Sequence, residues 1–109
     1  MSEKEAGLDK PPEEDIRAKL NRETGKIGWL ELEKHFASGN VVFVSAELDL
    51  VEVAYQVSKD NKAAVEGWLQ TEQLALATDA QAEQWHTHKA DLWAVVVAPL
   101  VLVQPLKEP

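Results

Sequence analysis

The stretch LWAVVVAPLVLVQ at residues 92–104 decides the fold class of this chain. Almost every position is apolar, so periodicity alone does not separate a buried strand from a buried helix. The β-branched valines favour a strand, and Pro99 would break a helix midway. Crossing a bilayer takes roughly 20 apolar residues, and this stretch is shorter and divided. We therefore predict that it forms the centre of a small buried sheet.

Pro99 leaves two arrangements open, because a residue without an N–H marks the end of one hydrogen-bonded ladder. Either a tight turn joins two antiparallel strands, at 92–98 and 100–104, or a bulge bends a single strand. No Gly, Asn or Asp stands at the corner to fix a hairpin turn. We predict two strands. Successive valines point to opposite faces, so helices must cover one face, and helices or a second subunit the other.

Length, charge and composition restrict the class of protein. A chain of 109 residues has the size of one domain. A formal net charge of −8 opposes binding to nucleic acids and to anionic membranes. The basic residues Arg17, Lys19, Arg22 and Lys26 are interpreted as the solvated face of a helix. The absence of cysteine fits a reducing compartment, and the polar N-terminus carries no secretory h-region, so we predict a cytoplasmic protein.

The predicted organisation is a single domain with two short extensions. Residues 1–12 are acidic and polar and contain a proline pair, which predicts a flexible arm. Residues 13–104 form the compact domain, and residues 105–109 form a tail. Within the domain, Ile16, Leu20 and Ile27 give the first helix a thin apolar stripe. Gly25 and Gly28 bracket a break after it.

The later segments alternate between helical and strand patterns. Trp29, Leu32 and Phe36 lie on one face of an amphipathic helix. Residues 47–59 fit a strand by alternation and also fit a helix, with Asp49 as a possible N-cap. The other predicted elements are a strand at 41–44, a helix after the cap at 60–61, a strand at 74–77, a helix at 79–88 and the two C-terminal strands.

Three segments resemble a bacterial family of small uncharacterised proteins, classed as a domain of unknown function. They are IGWLEL at 27–32, ELDLVEVA at 47–54 and LWAVVVAP at 92–99, the last followed by VLVQ at 101–104. The resemblance covers residues 16–104 and implies a bacterial cytosolic protein, but it brings no activity and no functional residues. Together with Asp49, it favours a helix for residues 47–59.

The resulting fold class is α/β or α+β, with a small mixed sheet of about four short strands and about five helices packed on it. The proportions of apolar and charged residues, 45% and 28%, are those of an ordinary globular protein. We also expect that helices of modest apolar content leave part of the sheet uncovered, where a partner would bind.

Two groups of titratable residues are candidates for catalysis. Glu31 and His35 are four apart on one helix, so a carboxylate could orient an imidazole there. A surface ion pair explains the same spacing without a function. Glu47, Asp49 and Glu52 follow the first predicted strand, at a strand end where α/β folds commonly place sites. Helix capping by Asp49 with solvated neighbours is the alternative.

Metal and aromatic sites have weaker support. His86, His88 and Asp91 could supply zinc ligands, but two histidines two apart on a helix point about 200° away from each other. We therefore predict no metal site and no cofactor. Trp29 and Trp93 are candidates for a ligand pocket or an interface, although burial in the core is the commoner role of tryptophan.

No set of catalytic residues stands out, so the preferred hypothesis is a non-catalytic interaction or regulatory module that self-associates or binds a protein partner. The alternative is a small enzyme or ligand-binding protein. Its carboxylate-lined site would lie at the strand ends near residues 47–52, with Trp93 as a wall.

Overall fold

The computed structural model describes residues 13–106 and places five helices against a five-stranded sheet within them. The elements in chain order are α1 (Glu13–Glu23), β1 (Gly25–Gly28), α2 (Trp29–Ala37), β2 (Val41–Val44), α3 (Leu50–Ser58), α4 (Lys62–Gln70), β3 (Leu74–Leu76), α5 (Asp79–Thr87), β4 (Asp91–Val97) and β5 (Leu100–Pro105). The predicted arm at 1–12 and the end of the predicted tail at 107–109 lie outside the described residues.

The sheet is mixed, as predicted, but it contains a strand that the sequence did not indicate. Its order is β1-β4-β5-β2-β3, and only β2 and β5 are parallel. The missed strand is β1, which was predicted as a break, with Ile27 assigned to the first helix. This strand pairs with β4, from Gly25 opposite Ala94 to Gly28 opposite Asp91. Its sequence GKIG carries one apolar side chain, so it shows no alternation of apolar and polar residues that would predict a strand.

The Val-rich stretch forms a hairpin, so the prediction of two strands is confirmed. Val97 of β4 pairs with Leu100 of β5, which leaves Ala98 and Pro99 as a two-residue turn. The peptide bond between Ala98 and Pro99 is cis. A cis proline at the third position is the geometry of a type VI turn, which needs no Gly, Asn or Asp.

Helices of the chain itself cover both faces of the sheet. Along β4, Trp93 and Val95 pack toward α1, α3 and α4, whereas Leu92 and Ala94 pack toward α2 and α5. Leu102 on β5 is 0% exposed and belongs to the first of these two clusters. The sequence left open whether helices or a second subunit cover the second face, and the structure places helices there.

The ambiguous segment at 47–59 contains a helix, α3, and the strand pattern in it is misleading. The Asp49 carboxylate accepts hydrogen bonds from the N–H groups of Val51 and Glu52, at 3.0 and 3.3 Å. The buried residues Val53 and Ala54 follow Leu50 at the spacing of one helical face. The N-cap and this face stabilise the helix together.

We expect the hairpin core to dominate stability. Replacing Leu102 by alanine (Leu102→Ala) removes a fully buried side chain and should lower the free energy of unfolding by about 2–5 kcal/mol in urea denaturation. The matched control is Leu76→Ala, because Leu76 on β3 is 62% exposed, and its effect should stay within about 0.5 kcal/mol. Equal losses in both variants would contradict this assignment of the core.

Candidate functional site

The loop after β2 and the last residues of β5 lie at the same end of the strands, because these two strands are parallel. Gln104 of β5 fixes the loop: its Nε2 donates to the backbone oxygens of Ser45 and Leu48, at 2.8 and 2.7 Å. Trp93 of β4 lies beside Gln104 in the ladder. The loop that carries Glu47 and Asp49 is thereby held against an aromatic side chain.

Trp93 is half-buried and is shared by two adjoining depressions, which we call the Trp93 recess. One depression, of about 460 Å³, includes Glu47 and Asp49 in its lining, and the other, of about 380 Å³, includes Lys26. The Lys26 ammonium lies 5.6 Å from the centroid of the Trp93 ring, a cation–π distance. The recess combines an aromatic wall with charged groups of both signs.

The three carboxylates predicted near this recess do not converge. Glu47 is exposed and accepts a hydrogen bond from Gln73 Nε2 at 3.2 Å. Asp49 is used in capping α3. Glu52 is absent from the lining of the recess; its Oε2 accepts from Gln56 Nε2 at 2.7 Å. The geometry provides two rim carboxylates near Trp93 and no paired acid and base.

Glu52 instead takes part in a contact between α1 and α3 that sequence reasoning missed. The Arg17 guanidinium lies 3.1 Å from Glu52 Oε1 and 4.2 Å from the centroid of the Tyr55 ring. The run of basic residues in the sequence indicates only a solvated helix face for Arg17. The two charged residues are 35 positions apart, so no local spacing signals the pair. The contact supports packing rather than catalysis.

Glu31 and His35 form no hydrogen bond or ion pair with each other among the described side chains. Glu31 is exposed and His35 is half-buried. Both line a depression of about 590 Å³ between α2 and β4, where Leu30 and Val96 are 65% and 54% exposed. We call the apolar residues Ile27, Leu30 and Val96, with Glu31, Lys34 and His35 beside them, the edge patch.

The three metal candidates do not share one site: His88 and Asp91 line one depression of about 430 Å³, and His86 is absent from its lining. His86 Nδ1 lies 2.9 Å from Glu33 Oε2 on α2, and His88 Nδ1 lies 2.9 Å from the backbone oxygen of Gln84. Asp91 is the first residue of β4. Within the described part of the chain, no group of three or more His, Asp or Glu side chains could hold a metal ion. The pair of Glu33 and His86 spans 53 positions, beyond any local motif.

Trp29 belongs to the core rather than to an exposed surface. It is 2% exposed, and its ring centroid lies 5.2 Å from that of Trp85 and 5.7 Å from that of Phe36. The contact with Trp85 joins α2 to α5 above the sheet, and the contact with Phe36 lies within α2. Trp29 also lines a depression of about 410 Å³ between α2 and α5, but its side chain is buried, whereas Trp93 is half-buried.

Comparisons with known proteins agree with the family resemblance of the three sequence segments. A family model described as Protein of unknown function (DUF2288) matches residues 15–105. The chain is also similar to the NMR solution structure of PA1075 from Pseudomonas aeruginosa, at 40% identity and a TM-score of 0.76, over 86% of this chain and 87% of that one. The comparison with curated proteins gives no match. Among residues 13–106, no helix is long and apolar enough to span a membrane.

The contacts of Asp49 predict a structural role that can be measured. Asp49→Ala removes the N-cap of α3 and should lower the free energy of unfolding by about 1 kcal/mol, whereas Asp49→Asn retains an oxygen acceptor and should lose less. Chemical denaturation of both variants gives the comparison. Wild-type stability in Asp49→Ala would contradict the capping role.

Proposed function

Since the chain belongs to the family described as Protein of unknown function (DUF2288), its own surface must indicate its role, and we propose a small non-catalytic interaction module that self-associates. The edge patch carries this proposal. Leu30 and Val96, both more than half exposed, lie at one depression whose lining includes the buried side chains of Leu32 and Val101. An apolar centre with polar groups at its margin is the usual anatomy of a protein interface.

The charges of the edge patch support a second copy as the partner. Two copies of a chain with net charge −8 repel each other, but Glu31 and Lys34 have opposite charges. A two-fold interface brings the same surface of each copy together, so Glu31 of one copy can lie near Lys34 of the other. The local repulsion is therefore small where the apolar side chains would be buried.

Other observations support the non-catalytic character and the class of partner. The carboxylates of Glu47, Asp49 and Glu52 have separate hydrogen-bond partners rather than a common site. The acidic net charge favours a protein partner over a nucleic acid. The absence of cysteine supports the proposed cytoplasmic location. Leu30 and Val96 offer little apolar area, so we expect a dissociation constant on the order of micromolar.

A second candidate function is ligand binding at the Trp93 recess. It is favoured by one observation: Trp93, Glu47 and Asp49 line the same depression, next to the loop that Gln104 holds. An aromatic face with nearby carboxylates suits a small cationic or aromatic ligand. The recess is shallow and the carboxylates lie at its rim, so we place this function second.

Self-association predicts that an acidic substitution in the edge patch produces a monomer. In sedimentation equilibrium, we expect the average mass of the wild type to rise with concentration. Val96→Glu would bury a charge in the proposed interface and should abolish this rise. The matched control is Leu69→Glu on α4, because Leu69 is 48% exposed but lies outside the edge patch. The proposal is wrong if the wild type stays monomeric throughout the micromolar range, or if both variants lose association equally.

The second candidate predicts ligands whose effect depends on Trp93. In a thermal-shift screen of small amines and aromatic metabolites, a compound bound in the recess should raise the melting temperature of the wild type. The same compound should leave the melting temperature of Trp93→Leu unchanged. A screen without a stabilising compound, or one with equal shifts in both proteins, would eliminate this candidate.

A further inference from the structure

We infer that two copies pair through the outer edge of β4, so that their two five-stranded sheets join into one continuous sheet. This inference rests on the proposed self-association and adds the backbone geometry by which it occurs. β4 runs from Asp91 to Val97, but β1 pairs with it only from Asp91 to Ala94. Among the described residues, the last three residues of β4 have no neighbouring strand on that side.

The direction of the backbone groups follows from a hydrogen bond at the start of β4. The N–H of Trp29, which follows β1, donates to the oxygen of Ala90 at 2.9 Å. In a strand, alternate residues direct their N–H and C=O to opposite neighbours. Ala90 faces β1, and Val96 follows it by an even number of residues. The N–H and C=O of Val96 therefore also point toward the β1 side.

A second hydrogen bond gives the same result from the other side of the hairpin. The N–H of Val101 donates to the oxygen of Asn40 at 2.9 Å, so Val101 faces β2. Its neighbours Leu100 and Leu102 must then face β4, where they pair with Val97 and Val95. Val96 lies between these two and faces away from β5. Since β1 stops opposite Ala94, the N–H and C=O of Val96 lie at an open edge.

Within residues 13–106, this open edge lacks the features that usually prevent pairing. Proteins protect exposed strand edges with charged residues, prolines or covering segments. Residues 95–97 are three consecutive valines, and Val96 is 54% exposed. By contrast, β1 carries Lys26 and two glycines. The opposite edge strand, β3, also exposes an apolar side chain, that of Leu76, but none of its three residues is β-branched. The unpaired part of β4 therefore combines consecutive β-branched residues with an exposed apolar side chain.

An antiparallel pair about a two-fold axis matches both the backbone and the edge patch. If the two-fold axis is perpendicular to the sheet, the α2 face of one copy and the α2 face of the other lie on the same side of the joined sheet. The side chains of Leu30 and Val96 of both copies would then flank the junction on the α2 face. The ladder is short, because β1 blocks it beyond Val95. Such a short ladder agrees with weak association.

The test is amide hydrogen exchange by NMR on the full chain, at total concentrations below and about ten times above the dissociation constant from sedimentation. At the higher concentration about a fifth of the chains remain monomeric, so exchange of the Val96 amide should slow about fivefold. The amide of Leu76, on the strand at the opposite end of the sheet, should not change between the two concentrations.

The outcomes separate this inference from the proposed function. Association with an unchanged Val96 exchange rate would overturn strand pairing and leave self-association intact. Failure to associate at any concentration would overturn both. Val96→Pro provides a further check, because it removes the outward N–H and keeps an apolar ring at an edge position that tolerates proline. It should weaken association by about tenfold through the loss of two hydrogen bonds, whereas Val96→Ile should retain it.

Discussion

The structure depends on covering a hairpin that is apolar on both faces. Leu102 and Val103 are consecutive residues of β5 that point to opposite faces, and both are 0% exposed. Helices α1, α3 and α4 cover one face, and α2 and α5 cover the other. Because the described helices supply both layers, most of each face is covered, although Val96 on the α2 face of β4 stays 54% exposed. The proposed association therefore uses an edge of the sheet.

Local interactions explain which parts of the fold could be predicted from the sequence. The hairpin strands follow from their valines, and α3 follows from the cap at Asp49 and a helical spacing of apolar residues. The strand β1 could not be recognised, because its pairing comes from β4, far along the chain. The turn at Pro99 depends on a cis peptide bond, which residue type permits but does not specify.

The candidate site was predictable to a smaller extent, because its decisive contacts are distant in sequence. Asp49 caps the helix that follows it, so its role was visible locally. The spacing of Glu31 and His35 suggested a pair that does not form, while Glu33 takes His86 as its partner from 53 positions away. The edge patch combines Leu30 from α2 with Val96 from β4, so only the tertiary structure brings it together. The sequence predicts that part of a sheet face is uncovered, whereas in the structure the unpaired part of the sheet is the edge of β4 after Ala94.

In the proposed dimer, two copies meet at this edge, which carries the outward Val96 backbone and the adjacent Leu30. The most direct measurement is an isotope-filtered NOE experiment on an equimolar mixture of ¹³C-labelled and unlabelled protein, above the dissociation constant. Pairing at this edge should give intermolecular cross-peaks from the methyl groups of Val96, and between these and the methyl groups of Leu30. Association without any intermolecular cross-peak from Val96 would contradict it.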